Sequence, residues 1–94
     1  MTTEERVRLF QQAILAIEKL ERAYPGYPPF QSIHNQLLFL LDQLSGHGVN
    51  REGLARINLG YITMREVEPR DDATADLLYL VSAEVKKMIV EAAQ

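Results

Sequence analysis

The stretch Phe30 to Leu44, FQSIHNQLLFLLDQL, constrains the chain more than any other. It is the most apolar helix-length segment. At helical spacing Phe30, Ile33, Leu37, Leu40, Leu41 and Leu44 fall on one arc, the mark of a helix with a buried stripe. Leu38 is expected to widen that stripe. Phe39 points the other way, among Ser32, Asn35, Gln36 and Gln43. A helix so patterned needs partners of the same kind, and the rest of the chain supplies them.

Before it, Thr2 and Glu5 form the capping-box pattern of a helix start. The helix is expected to run to about Ala23, with Val7, Phe10, Ile14, Ile17 and Leu20 inward and Leu15 stranded on the polar side. Tyr24-Pro25-Gly26-Tyr27-Pro28-Pro29 breaks it, and so short a connection makes the two helices antiparallel neighbours. Tyr24 and Tyr27 are expected to cap that end of the bundle. After Leu44, Gly46 is placed to terminate the helix. Asn50 can cap a short piece over Arg51–Ile57.

Asn58 to Glu68, NLGYITMREVE, admits two readings. YITMREV has strand-forming residues, but no second strand exists to pair with it, so the pattern favours helix. Leu59, Ile62, Thr63 and Val67 then face inward, and Tyr61 and Arg65 outward. Asp71 or Asp72 can cap a last helix reaching about Ala92, with Leu77, Leu78, Val81, Val85, Met88 and Ile89 inward. A second apolar column, Tyr79, Ala83 and Val90, runs behind it, interrupted by Lys86. The fold class is all-α: one domain, a compact antiparallel bundle of four to five helices, with the Phe30–Leu44 helix as the pillar for the first and last.

Composition narrows function mainly by subtraction. A net charge of −3 disfavours nucleic acid as a partner, since phosphate binding needs clustered Lys and Arg. There is no cysteine, hence no disulfide and no thiolate metal site. The polar N-terminus is unlike a signal peptide, and no run approaches a membrane span, so no membrane association and a cytoplasmic location are expected. His34 reads as a boundary residue with one hydrogen bond and His47 as a loop residue. No nucleophile, metal or cofactor fingerprint occurs, so no enzyme and no cofactor are expected.

Three features remain for partner binding. Phe39 and Tyr79 are aromatics off the main stripes, open to covering by a further helix or by a partner. The Arg65–Asp72 segment is charge-rich, with Glu66, Glu68, Asp71 and Asp72 broken by Arg65 and Arg70. The order of YPGY at 24–27, the QLLFLL helix and LGYITMREVE at 59–68 followed by an acidic turn resembles one family of bacterial immunity proteins. These protect cells against type VI secretion effectors carrying a NAD(P)⁺-glycohydrolase toxin domain. Two departures stand out: Val67 replaces a usual aromatic, and the Gly46-His47-Gly48 connector is longer. The resemblance implies an all-helical, cytoplasmic, non-catalytic protein that binds the toxin domain and blocks its active site. On that reading Glu66, Glu68, Asp71 and Asp72 supply charge toward a basic pocket, Arg65 lies among them, and Tyr61, Phe39 and Tyr79 are apolar anchors. A helical adaptor or regulatory subunit for another protein is the alternative. Self-association is left open.

Overall fold

The computed structural model describes residues 1–94 and contains no strand. Helix α1 spans Thr3–Ala23, α2 Pro28–Gln43, α3 Arg51–Ala55, α4 Leu59–Ile62 and α5 Asp72–Ala92. A π-helical turn, Thr63–Val67, continues α4.

The boundaries follow local chemistry. The Thr2 hydroxyl accepts from the Glu5 amide while the Glu5 carboxylate accepts from the Thr2 amide, at 3.1 and 2.8 Å, a closed capping box. Gly26 adopts φ +76° in the turn after α1, which a side chain would resist. Pro28 and Pro29 then occupy the first turn of α2, where a missing N–H costs nothing. Asn50 caps α3 through the Gly53 amide at 2.8 Å, and Asp71 caps α5 through the Thr74 amide at 3.0 Å.

Phe10, Ile17, Phe30, Ile33, Leu37, Leu40, Leu59, Val67, Leu78 and Val81 are completely buried. They come from α1, α2, α4 with its π turn, and α5, so one core joins them. Four expectations need correcting. The shared pillar is α1, not α2: α1 packs on both α2 and α5, while α2 and α5 scarcely meet. Leu38 is therefore uncovered and 50% exposed rather than part of the stripe. Ile89 is 39% exposed at the edge of the α5 stripe, although Met88 beside it is buried and Ala92 packs on the core, and α3 stops at Ala55 instead of Ile57.

The α1–α5 seam holds the main polar surprise. Arg6 and Glu84 are both buried, with Arg6 Nε 3.0 Å from Glu84 Oε1. The same guanidinium donates through Nη1 and Nη2 to both Glu91 oxygens at 2.9 Å. Lys87 Nζ lies 3.0 Å from Glu84 Oε2. No buried side-chain polar atom is left without a partner, so the seam is fully satisfied.

Candidate partner-binding face

The π turn organises the face expected to bind. Leu59, Thr63 and Val67 are buried at spacings of four. In an α-helix that spacing drifts by about 40° per step, and a wider turn brings the residues back to one side. The Glu68 amide accordingly donates to the Thr63 carbonyl, an i to i+5 bond of 2.9 Å. The Thr63 hydroxyl donates to the Leu59 carbonyl at 2.7 Å, inside the core. With the inner row pinned, Tyr61, Met64, Arg65 and Glu68 are turned to solvent. Arg65 Nη1 donates to the Tyr61 hydroxyl at 2.7 Å, with its guanidinium 5.6 Å from that ring's centre. The two form one exposed unit, part cationic and part aromatic.

The acidic residues go to separate partners. Glu66 Oε1 accepts from the Tyr27 hydroxyl at 2.6 Å and from Arg70 Nη1 at 3.3 Å. Tyr27's hydrogen bond holds the Glu66 carboxyl below its ordinary value, against the upward push of burial and with help from Arg70. Glu68 Oε2 accepts from the Tyr79 hydroxyl at 2.9 Å. Burial first, and then Glu68, raise the Tyr79 hydroxyl. Asp71 is spent on the α5 cap, and Asp72 is exposed in the first turn.

Sequence reasoning gave Arg70 no role of its own, yet it holds this end together. Its guanidinium lies 5.1, 5.2 and 5.7 Å from the ring centres of Tyr24, Tyr27 and Phe30. Tyr24 and Tyr27 meet Phe30 edge-on at 5.7 and 5.0 Å. Arg70 also donates to the Glu66 carbonyl at 2.7 Å. The tyrosines thus cap the bundle as expected, and the cation between the rings ties the α1–α2 turn to the π turn.

Phe39 is half-buried because α3 settles on it: a Cβ placed on Gly53 would lie 2.4 Å from Phe39 Cζ. Gln36 fixes that arrangement, accepting from the Asn58 amide at 2.9 Å and donating to its side-chain oxygen at 2.7 Å. An open cleft of about 540 Å³ runs beside the ring, past Gln31, Ser32, Gln36 and Arg56. A second, of about 350 Å³, is lined by Ile62, Tyr61, Arg65 and Glu66. The clefts share Pro28 and Ser32, so one groove links Phe39 to the Tyr61–Arg65 unit. Tyr79 joins the far edge only through Glu68.

His34 Nδ1 sits 2.6 Å from Glu21 Oε1, a partnered boundary histidine, and His47 Nδ1 meets the Ser45 hydroxyl at 2.9 Å. No three His, Asp or Glu side chains converge as metal ligands do. No helix is long and apolar enough to cross a membrane.

A family model described as Tsi6, type VI secretion immunity protein 6, matches residues 5–87, from the first turn of α1 deep into α5. The chain belongs to the Tsi6 family. It is therefore a type VI secretion immunity protein, non-catalytic, whose family role implies inhibition of a cognate effector. No curated protein and no solved structure matches it significantly.

Proposed function

We propose that this Tsi6-family protein protects its cell from an effector whose toxin domain is a NAD(P)⁺ glycohydrolase, by covering that domain's active site. The family match supplies the immunity role. The carrying observation for the binding face is the Tyr61–Arg65 unit, exposed on a turn whose inner residues are completely buried. A rigid aromatic and cationic pair costs little ordering on binding and suits a hot spot. Phe39, Tyr79, Glu68 and Asp72 flank it. A pocket built for a pyrophosphate presents basic groups and backbone donors, which Glu68 and Asp72 complement. Glu66 and Asp71 contribute indirectly, holding the π turn and the start of α5 in place. The protein acts in the cytoplasm, where NAD(P)⁺ is consumed.

Co-expression with a candidate effector's glycohydrolase toxin domain tests the reading. Growth and NAD⁺ levels are restored by the wild-type chain and not by Tyr61→Ala/Arg65→Ala. Failure of soluble wild-type protein to restore NAD⁺ refutes the glycohydrolase pairing. Rescue undiminished in the double variant refutes the face.

A further inference from the structure

From the outer face of α5 we infer that the protein associates with a second copy of itself, the two α5 helices packing antiparallel. Ala73, Asp76, Leu80, Ala83, Lys87 and Val90 are all exposed. They recur at alternating intervals of three and four, which keeps them on one line facing away from the buried Leu78–Val81–Val85 side. Leu80 and Val90, 55% and 59% exposed, are the apolar members of this line.

What selects a second copy is the line's internal symmetry. Reversed about the point midway between Val81 and Ser82, it maps onto itself with complementary chemistry at every step. Leu80 meets the other copy's Ala83, and Ala73 meets Val90, so each bulky side chain faces a small one and the backbones approach closely. Asp76 meets Lys87, giving two opposite-charge pairs across a two-fold axis. Parallel pairing would instead stack Asp76 on Asp76 and Lys87 on Lys87. Asp72 faces Glu91 in the antiparallel register, but Glu91 already carries Arg6. Lys87 touches Glu84 and still has a side chain 59% exposed. The contact is about 26 Å long and falls in the small, weak class of interfaces. It uses none of the Tyr61–Arg65 unit, and meets the proposed effector face only at its end, where Asp72 lies.

Sedimentation velocity on the purified full chain, from about 10 to 500 µM, suits an interface of that class. A concentration-dependent dimer is expected. Leu80→Glu and Asp76→Lys, both at exposed positions, are expected to weaken it about tenfold or more, with helicity retained by circular dichroism. Asp76→Lys/Lys87→Asp, which reverses both cross-pairs at once, is expected to restore it. A monomer throughout the range overturns the inference. So does a dimer indifferent to Leu80→Glu and Asp76→Lys. A folded charge-reversed double variant that stays monomeric overturns the antiparallel register.

Discussion

Replacing Arg6 with methionine strands a carboxylate inside the α1–α5 seam. Arg6 and Glu84 are 7% and 3% exposed, and the Nε–Oε1 bond between them is 3.0 Å. Methionine keeps most of the apolar stem, so the loss is chiefly the charge and its hydrogen bonds. Removing one partner of a buried pair costs about 3–5 kcal/mol, because the other stays buried and unpaired. Here Lys87 still reaches Glu84 Oε2 at 3.0 Å, though from a largely solvated position, which lowers the expectation to about 2–4 kcal/mol. Against a total of about 5–14 kcal/mol for a chain of this length, the loss is plain in urea melts followed by far-UV circular dichroism. Arg6→Met/Glu84→Leu removes the stranded charge as well and should recover most of it. A single variant within about 0.5 kcal/mol of wild type, or a double variant no better than the single, refutes the reasoning.

The same seam sets an acid dependence that differs between wild type and variant. Burial pushes the Glu84 carboxyl up, but hydrogen bonds from Arg6 and Lys87 outweigh it and hold the group below its ordinary value of 4.5. Arg6 does the same for Glu91, against a weaker effect of burial. A carboxyl lowered by folding adds stability above its unfolded value, and loses it as pH falls through the folded one. In Arg6→Met burial is opposed by Lys87 alone, so the Glu84 carboxyl moves up from its wild-type position and acid costs the variant less stability than it costs wild type. The stability gap between wild type and Arg6→Met should therefore narrow as pH falls from 6 toward about 4. A constant gap shows that Glu84 stays ionised without Arg6.

Other outcomes follow from the packing. Leu40→Ala empties a completely buried site and should cost about 2–5 kcal/mol in denaturant melts; under about 1 kcal/mol means the site collapses freely. Gly53→Ala would ordinarily stabilise a helix by up to about 1 kcal/mol. Its Cβ would meet Phe39 Cζ at 2.4 Å, so a net loss of about 1–2 kcal/mol is expected, recovered when Phe39→Leu is added. Tyr61→Ala/Arg65→Ala should leave the melting midpoint within a few degrees, yet weaken effector binding about 30-fold or more, as read by calorimetry with the purified toxin domain.

How much of this was legible depends on how locally each feature is encoded. The caps at Thr2, Asn50 and Asp71 each use a side chain and an amide three residues apart, so sequence locates them. The three long stripes are legible for the same reason, and helix over strand at 58–68 followed from the lack of a pairing partner. The π turn left no trace of its own, because the fours of Leu59, Thr63 and Val67 fit the stripe of an ordinary α-helix as well. Arg70 left none: its rings lie forty or more residues away, and only the fold brings them to one cation.

Arg6 and Glu84 fall between these cases. Arg6 lies three and four residues before Leu9 and Phe10, and Glu84 lies among Val81, Val85 and Met88, so each sits on a buried stripe of its own helix. Either alone looks like an edge residue that snorkels to water. Together they carry opposite charges at opposite ends of the chain, which is what two antiparallel helices bring into register. Phe39 follows the same rule. Its position on the back of α2 left core and interface open, and the deciding residue was Gly53, the one α3 position that lets the ring lie against backbone. Half covered by α3 and half open to the groove shared with Tyr61, Phe39 supports the proposed binding face as much as it belongs to it. Removing it should therefore lower stability and effector affinity together, whereas removing Tyr61 and Arg65 lowers affinity alone.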